Sequence, residues 1–169
     1  MGDCMRNVYG FTNENVSSFG SLYDFSAAKV LSVLGSGDQY FASLLHGADE
    51  VDVFDVDMNA WDFFVLKFCG LMTLSYDDFF SYYVLRRLND EYRFNFLSKY
   101  MPDDVVSRLK RKYERCNGLS NYLTSDIASV NYGDGHVIPY FEKNEYYRLQ
   151  RMLWERELPN FYLDDFVKL

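Results

Sequence analysis

The chain has 169 residues and a formal net charge of −8, and a chain of this length is typically a single folded domain. Hydrophobic residues make up 49% and charged residues 25%, which excludes an intrinsically disordered chain. The acidic balance argues against nucleic acid or an anionic membrane surface as the main partner. The sequence has no signal-peptide pattern and no apolar run of transmembrane length. We therefore expect a cytoplasmic protein without an integral membrane segment.

The cysteines and histidines are few and far apart. The three cysteines are Cys4, Cys69 and Cys116, and their odd number and wide spacing predict no disulfide framework. His46 and His136 are the only histidines. Because they fall in different predicted elements, we expect no metal site.

A strand–turn–helix–strand pattern comes first along the chain. Residues 30–34 form a short apolar run with β-branched side chains, which is typical of a buried parallel strand. A glycine-rich turn at 35–37 follows, and then a helix at 40–46 that ends at Gly47. A second strand is predicted at 51–56. The four elements together predict a βαβ unit.

The remaining chain is mainly helical by its apolar spacing. The first helix covers about 60–72, and the second begins at Ser75 as its N-cap. A third has Pro102 in its first turn. Asn144 is predicted to cap the last helix, and a third strand follows at 161–163.

Two other stretches in this part of the chain have a local interpretation. The turn at 132–136 is predicted to join two short strands, and its His136 is interpreted as a surface residue rather than a general base. The basic stretch at 108–115 is interpreted as the solvated face of a helix, because acidic residues flank it.

These elements predict an α/β fold, namely a partial Rossmann-like parallel sheet with a large helical insertion between strands two and three. We divide the chain into an N-terminal cap segment (1–29), a βαβ core (30–59), the helical insertion (60–157), and the third strand with the chain end (158–169). All four parts belong to one structural domain. Because a doubly wound fold has more strands, we expect the C-terminal half of such a fold to be missing.

The strongest candidate site combines the glycine turn with an acid at the end of strand two. Gly35 and Gly37 allow a tight turn and close approach to a ligand. Asp57 lies 20 positions after Gly37, and an acid at this spacing can accept hydrogen bonds from ribose hydroxyls. Tyr40 stands where a dinucleotide site needs a third glycine. The pattern therefore favours S-adenosylmethionine over NAD or FAD, and a tight turn without a ligand is the alternative.

Residues 30–39 and 53–59 resemble motifs I and II of class I S-adenosylmethionine-dependent methyltransferases. The resemblance is closest to the DUF3419 group, which includes enzymes that move the 3-amino-3-carboxypropyl group of S-adenosylmethionine onto diacylglycerol in betaine-lipid synthesis. The shared features are Ser-Gly-Asp-Gln at 36–39, Asp-Met-Asn at 57–59, Leu-Lys at 66–67 and Tyr-Asp-Asp-Phe at 76–79.

The resemblance implies a cofactor site. Its glycine turn would lie along the methionine and ribose part of the cofactor, Asp57 would hold the ribose hydroxyls, and Met58 would pack on the adenine. The residues that it implies for binding S-adenosylmethionine are Gly35, Ser36, Gly37, Asp38, Gln39, Asp57, Met58, Asn59, Asp165 and Phe166.

The sequence thus predicts a transferase of methyl or aminocarboxypropyl groups from S-adenosylmethionine to a small-molecule or lipid acceptor. Neither the acceptor nor the catalytic residues are defined by the sequence. The alternative is a non-catalytic Rossmann-like binding or interaction protein. A half sheet would leave an open strand edge, so we also expect that the chain can form a homo-oligomer.

Overall fold

The computed structural model describes residues 8–12, 14–85, 87–122 and 138–163. The predicted turn at 132–136 and the predicted site residues Asp165 and Phe166 lie outside these ranges. The first helix, α1, covers Val16–Leu22 and follows Asn15, whose side chain accepts a hydrogen bond from the backbone of Ser18.

Three parallel strands form the sheet. They are β1 (Lys29–Val33), β2 (Glu50–Asp55) and β3 (Phe161–Leu163), in the order β1-β2-β3. Helix α2 (Asp38–Leu45) connects β1 to β2. The predicted βαβ unit is confirmed, with each strand starting one residue earlier than the sequence pattern indicated. The register places Val33 opposite Phe54.

Helix α3 (Met58–Thr73) is the central helix of the fold. It follows β2 directly, and its side chains are buried on nearly every side of the helix axis. The helix contacts β2 and also packs against later helices of the chain. A helix surrounded in this way has an apolar sequence almost throughout, and its charged residues need partners inside the protein.

The other helices surround α3. Ser75 is the N-cap of the next helix, as predicted, because its side chain accepts a hydrogen bond from the backbone of Asp78. The predicted start of the last helix is wrong by two residues, since Glu142 rather than Asn144 occupies the N-cap. The remaining helices are α4 (Tyr76–Phe79, continued by a π-helical turn at Phe80–Val84), α5 (Glu91–Leu97), α6 (Asp103–Cys116) and α7 (Lys143–Trp154), with 3₁₀ turns at Ser98–Tyr100 and Ser120–Tyr122.

The two faces of the sheet differ in burial. Val51 and Val53 of β2 point to the helices and are buried. On the opposite face, 63% of Leu31, 56% of Val33 and 50% of Tyr162 remain exposed. The prediction that the first strand is buried is therefore wrong, because no element in the described part of the chain covers this second face.

The observed α/β fold with a three-stranded parallel sheet and a long helical stretch between strands two and three confirms the predicted class at this level. Within the described ranges, none of the helices combines the length and the apolar character needed to cross a bilayer. Cys69 is a buried free thiol, whereas Cys116 is disulfide-bonded, which the sequence did not lead us to expect.

Candidate functional site

The turn between β1 and α2 has the backbone geometry expected of a ligand-binding loop. Gly35 and Gly37 have φ angles of +49° and +82°, which glycine adopts without the penalty that a side chain would bring. A Cβ atom on Gly37 would come within 2.5 Å of the Phe64 ring, whereas one on Gly35 would meet nothing within 4 Å. Gly37 is thus required by both conformation and packing, and Gly35 by conformation alone.

Asp55 joins the ends of the two strands. Its carboxylate accepts hydrogen bonds from the backbone N–H of Gly35 at 2.9 Å and from that of Asp57 at 3.0 Å. These two hydrogen bonds hold the glycine turn and the start of α3 together at the carboxyl ends of β1 and β2. Asp55 is the last residue of β2 and was not among the residues predicted for the site.

Asp57 is the N-cap of α3. Its Oδ1 atom accepts hydrogen bonds from the backbone N–H of Asn59 at 2.8 Å and from the Asn59 side chain at 2.7 Å. The Oδ2 atom has no hydrogen-bond partner among the residues that the structure describes. One carboxylate oxygen thus stabilises the helix, and the second is available to a ligand.

A buried ion pair lies behind the glycine turn. Asp38 is 0% exposed and Lys67 is 2% exposed, and the Lys67 ammonium lies 3.1 Å from Oδ1 of Asp38. The ammonium also donates to the carbonyl oxygen of Ser36 at 2.7 Å. Burial lowers the pKa of Lys67, and the Asp38 carboxylate opposes that shift.

The remaining partners of Asp38 come from distant parts of the chain. The hydroxyl of Tyr140 donates to its Oδ1 atom, and the Ser36 hydroxyl donates to Oδ2 at 2.7 Å. The backbone N–H of Thr12 also donates to Oδ2, at 2.5 Å. Burial, together with the carboxylate, raises the pKa of Tyr140 well above its ordinary value. Asp38 therefore connects the glycine turn to α3, to Tyr140 shortly before α7, and to the N-terminal segment 8–12.

The N-terminal segment 8–12 lies across the glycine turn. The Phe11 ring packs under the Lys67 ammonium, 4.4 Å from the ring centroid, and the Val8 backbone N–H donates to the carbonyl of Tyr122 at 3.2 Å. Among the described residues, a cavity of about 10 Å³ lies beside the turn, which suffices for one water molecule. Its lining comprises Val8, Tyr9, Gly10, Gly35, Ser36, Ala60, Phe63, Phe64, Lys67 and Tyr83.

A larger, open cleft of about 520 Å³ lies between the start of α3 and one side of α6. At its base Asp62 is fully buried and pairs with Arg108 at 2.8 Å and with Lys112. The lining residues are Met58, Asn59, Asp62, Arg108, Arg111, Lys112, Arg115 and Tyr122. The cleft therefore combines cations with two large side chains, one aliphatic and one aromatic.

The structure divides the predicted cofactor residues between these two spaces. The glycine turn borders the small cavity, and Asp38 is enclosed by its own partners. Met58 and Asn59 line the open cleft. Gln39 donates from its amide to Glu14 at 3.2 Å. Their roles in binding a cofactor stay predictions.

Tyr40, which occupies the third-glycine position, is buried and packs edge-on against Phe41 and Phe64. Burial raises the pKa of its hydroxyl to about 12. The preference for S-adenosylmethionine over a dinucleotide, which rested on this residue, stays a prediction.

Sequence reasoning gave no role to Asp62 of α3, and it noted Lys67 only as part of the Leu-Lys feature of the resemblance. The available signal was their presence in an otherwise apolar helix, since such residues are rarely buried without partners. They are five positions apart and point in different directions, so each needs a separate partner. Within the described ranges, no three His, Cys, Asp or Glu side chains converge as metal ligands would.

Comparisons of the chain with family models, with curated proteins and with solved structures find no match.

Proposed function

We propose that this chain binds S-adenosylmethionine at the carboxyl edge of β1 and β2 and belongs among Rossmann-like transferases. The observation that carries the proposal is the Oδ2 atom of Asp57, which is left available at the sheet edge where the glycine turn also ends. Parallel α/β sheets bind their ligands at this edge. The glycine turn would approach the amino-acid part of the cofactor, and Asp57 would accept hydrogen bonds from the ribose.

In this proposal, the N-terminal segment 8–12 moves away from the glycine turn when the cofactor binds. A cavity of about 10 Å³ does not hold a nucleoside. The segment is attached to the turn through the Thr12 N–H bond to Asp38 and through the Phe11–Lys67 contact. Binding would replace these contacts with contacts to the cofactor, while the ion pair of Asp38 and Lys67 keeps the turn in place.

The reaction that we propose is transfer of a methyl or an aminocarboxypropyl group to a small-molecule or lipid acceptor. The sulfonium of the cofactor is the electrophile for either transfer. The protein's part is to align the acceptor and to exclude water, so no covalent nucleophile in the chain is needed.

The direct test is calorimetric titration with S-adenosylmethionine and S-adenosylhomocysteine. We expect saturable binding, and Asp57→Asn should weaken it by about 1–3 kcal/mol because the ribose hydroxyls lose their acceptor. Asparagine is chosen because its side-chain oxygen can still cap α3. The folded state should therefore be retained.

Asp90→Asn is the matched control for this titration. Asp90 is the N-cap of α5 and accepts a hydrogen bond from the backbone of Arg93, so the same change is made at a cap outside the proposed site. The Asp90→Asn variant should bind S-adenosylmethionine with the same affinity as the unmodified chain. Absence of any binding heat at millimolar cofactor would contradict the proposal.

A second candidate function is self-association without catalysis. The exposed apolar side chains of β1 and β3, together with the position of β1 at one end of the described sheet, favour it. A second copy that packs its own exposed sheet face against this one would cover Leu31 and Val33, whereas a copy that pairs along β1 would extend the sheet.

A further inference from the structure

Four cations on α6 form a single basic face. Arg108, Arg111, Lys112 and Arg115 are spaced by three, four and seven positions, and this spacing places them on one side of a helix. All four line the open cleft of about 520 Å³, where Asp62 is the only carboxylate in the described lining. The cleft is thus a concentration of positive charge on a chain of net charge −8.

Asp62 fixes two of these cations. Its carboxylate is fully buried and accepts from Nε of Arg108 and from Nζ of Lys112. Arg108 also donates to Asp104 at 2.8 Å. The two side chains are mostly buried, with 25% and 15% exposed, so they are held in one conformation. A site whose charged groups are already ordered loses less entropy when an anion binds.

Arg111 and Arg115 complete the face at the more exposed side of the cleft. Guanidinium groups present paired N–H donors that match phosphate oxygens. Met58 and Tyr122 add apolar surface next to them, against which a planar or hydrophobic group can pack.

The shape of the cleft favours a small ligand over nucleic acid. A volume of about 520 Å³ is within the usual range for small-molecule sites. A nucleic acid follows an extended basic surface, whereas the basic face here adjoins acidic residues of the same helix, Asp103, Asp104 and Glu114.

We propose that the cleft between α3 and α6 is a binding site for a small molecule that carries a phosphate or pyrophosphate group. Arg111 and Arg115 bind the phosphate oxygens, and Arg108 and Lys112, held by Asp62, supply further positive charge. This inference does not need the S-adenosylmethionine proposal, because that cofactor has no phosphate, although Met58, which the resemblance places on the adenine, borders this cleft as well.

Isothermal titration with inorganic pyrophosphate and with ATP tests the site. We expect saturable binding of both, and Arg111→Gln should weaken it by about tenfold, as expected for the loss of a charge-assisted hydrogen bond. Lys110→Gln is the matched control, because Lys110 lies on the same helix but lines a different cleft. Its affinity should stay within about twofold of the unmodified chain.

Three outcomes would overturn the site. One is the absence of saturable pyrophosphate binding at about 10 mM, a concentration at which even a weak specific site is occupied. Another is an equal loss in Arg111→Gln and Lys110→Gln, which would indicate a response to overall charge. The third is binding of a single-stranded oligonucleotide that tightens with its length while ATP shows none, which would identify a nucleic-acid surface. Pyrophosphate binding without any S-adenosylmethionine binding would support this site and contradict only the cofactor proposal.

Discussion

Individual buried charged residues hold the glycine turn and its neighbouring elements together. Lys67 lies in the apolar helix α3, and its burial is compensated because Asp38 and the Ser36 carbonyl accept hydrogen bonds from its ammonium. Asp38 in turn accepts from Tyr140 and Thr12. If one of these residues is removed, its partners remain charged or polar inside the protein without a hydrogen-bond partner. This costs more free energy than the lost contact itself contributed.

Lys67→Met should therefore lower the free energy of unfolding by about 3–5 kcal/mol, the usual cost of leaving one member of a buried pair uncompensated. Urea denaturation followed by circular dichroism measures the change. The substitution keeps the apolar stem of the side chain, so most of the loss reports the missing ammonium group.

Lys29→Met makes the same change in an exposed pair. Lys29 lies 2.6 Å from Glu50, with 80% of its side chain exposed, and solvent screens such pairs strongly. Its denaturation midpoint should not differ measurably from that of the unmodified chain. A comparable loss in both variants would show that Asp38 and Lys67 do not form the connection that the structure displays.

At the scale of elements, the glycine turn between β1 and α2 shapes the carboxyl end of the sheet. Both glycines have positive φ, but only Gly37 is also confined by a neighbouring ring. A substitution of Gly35 therefore tests backbone strain alone, whereas a substitution of Gly37 tests backbone strain and steric overlap together.

Gly35→Ala should cost about 1–2 kcal/mol of stability, the penalty of a left-handed conformation for a residue with a side chain. Gly37→Ala should cost more, roughly 2–4 kcal/mol, because its Cβ also overlaps Phe64 and forces the core to shift. Thermal or urea unfolding of the two variants measures the difference. Equal losses would show that the Phe64 ring moves aside freely.

Helix α6 shows how one element can serve two purposes. Its basic stretch was interpreted from sequence as a solvated face, and Lys110 fits that description. Arg108 and Lys112 do not, since they reach the buried Asp62 of α3. The sequence shows the spacing of the cations, but it does not show which carboxylate lies opposite them.

At the scale of the whole molecule, the sheet face that no described element covers bears on assembly. Leu31, Val33 and Tyr162 are exposed together on a sheet whose other face is closed by helices. Contiguous apolar patches on a folded chain commonly mark interaction surfaces. The predicted homo-oligomer is one assembly that would cover this face.

Light scattering coupled to size-exclusion chromatography tests this assembly. If a second copy covers the face, the chain should elute as a dimer, and Val33→Lys should shift it to a monomer because a charge would be buried at the interface. Tyr92→Lys, at an 81% exposed position on α5, should leave the dimer intact. A monomer at every concentration would contradict self-association.

The sequence determined the local elements of this protein. The βαβ unit, the glycine turn, the Ser75 cap and the third strand could be predicted because each depends on neighbouring residues: apolar spacing, φ freedom and side-chain capping. Asp57 was predicted to stand at the end of strand two, whereas the strand ends at Asp55 and Asp57 caps α3, because spacing alone does not distinguish two acids that are two positions apart.

Only the tertiary structure decided which of these residues meet. Asp38 was predicted to face a ligand, yet its side chain is enclosed by Lys67, Tyr140 and Thr12, which are 29, 102 and 26 positions away in sequence. The same packing filled the space beside the glycine turn and brought α6 against α3 to form the basic cleft. Such contacts depend on how distant elements pack, and no local pattern encodes the partner of a buried charge.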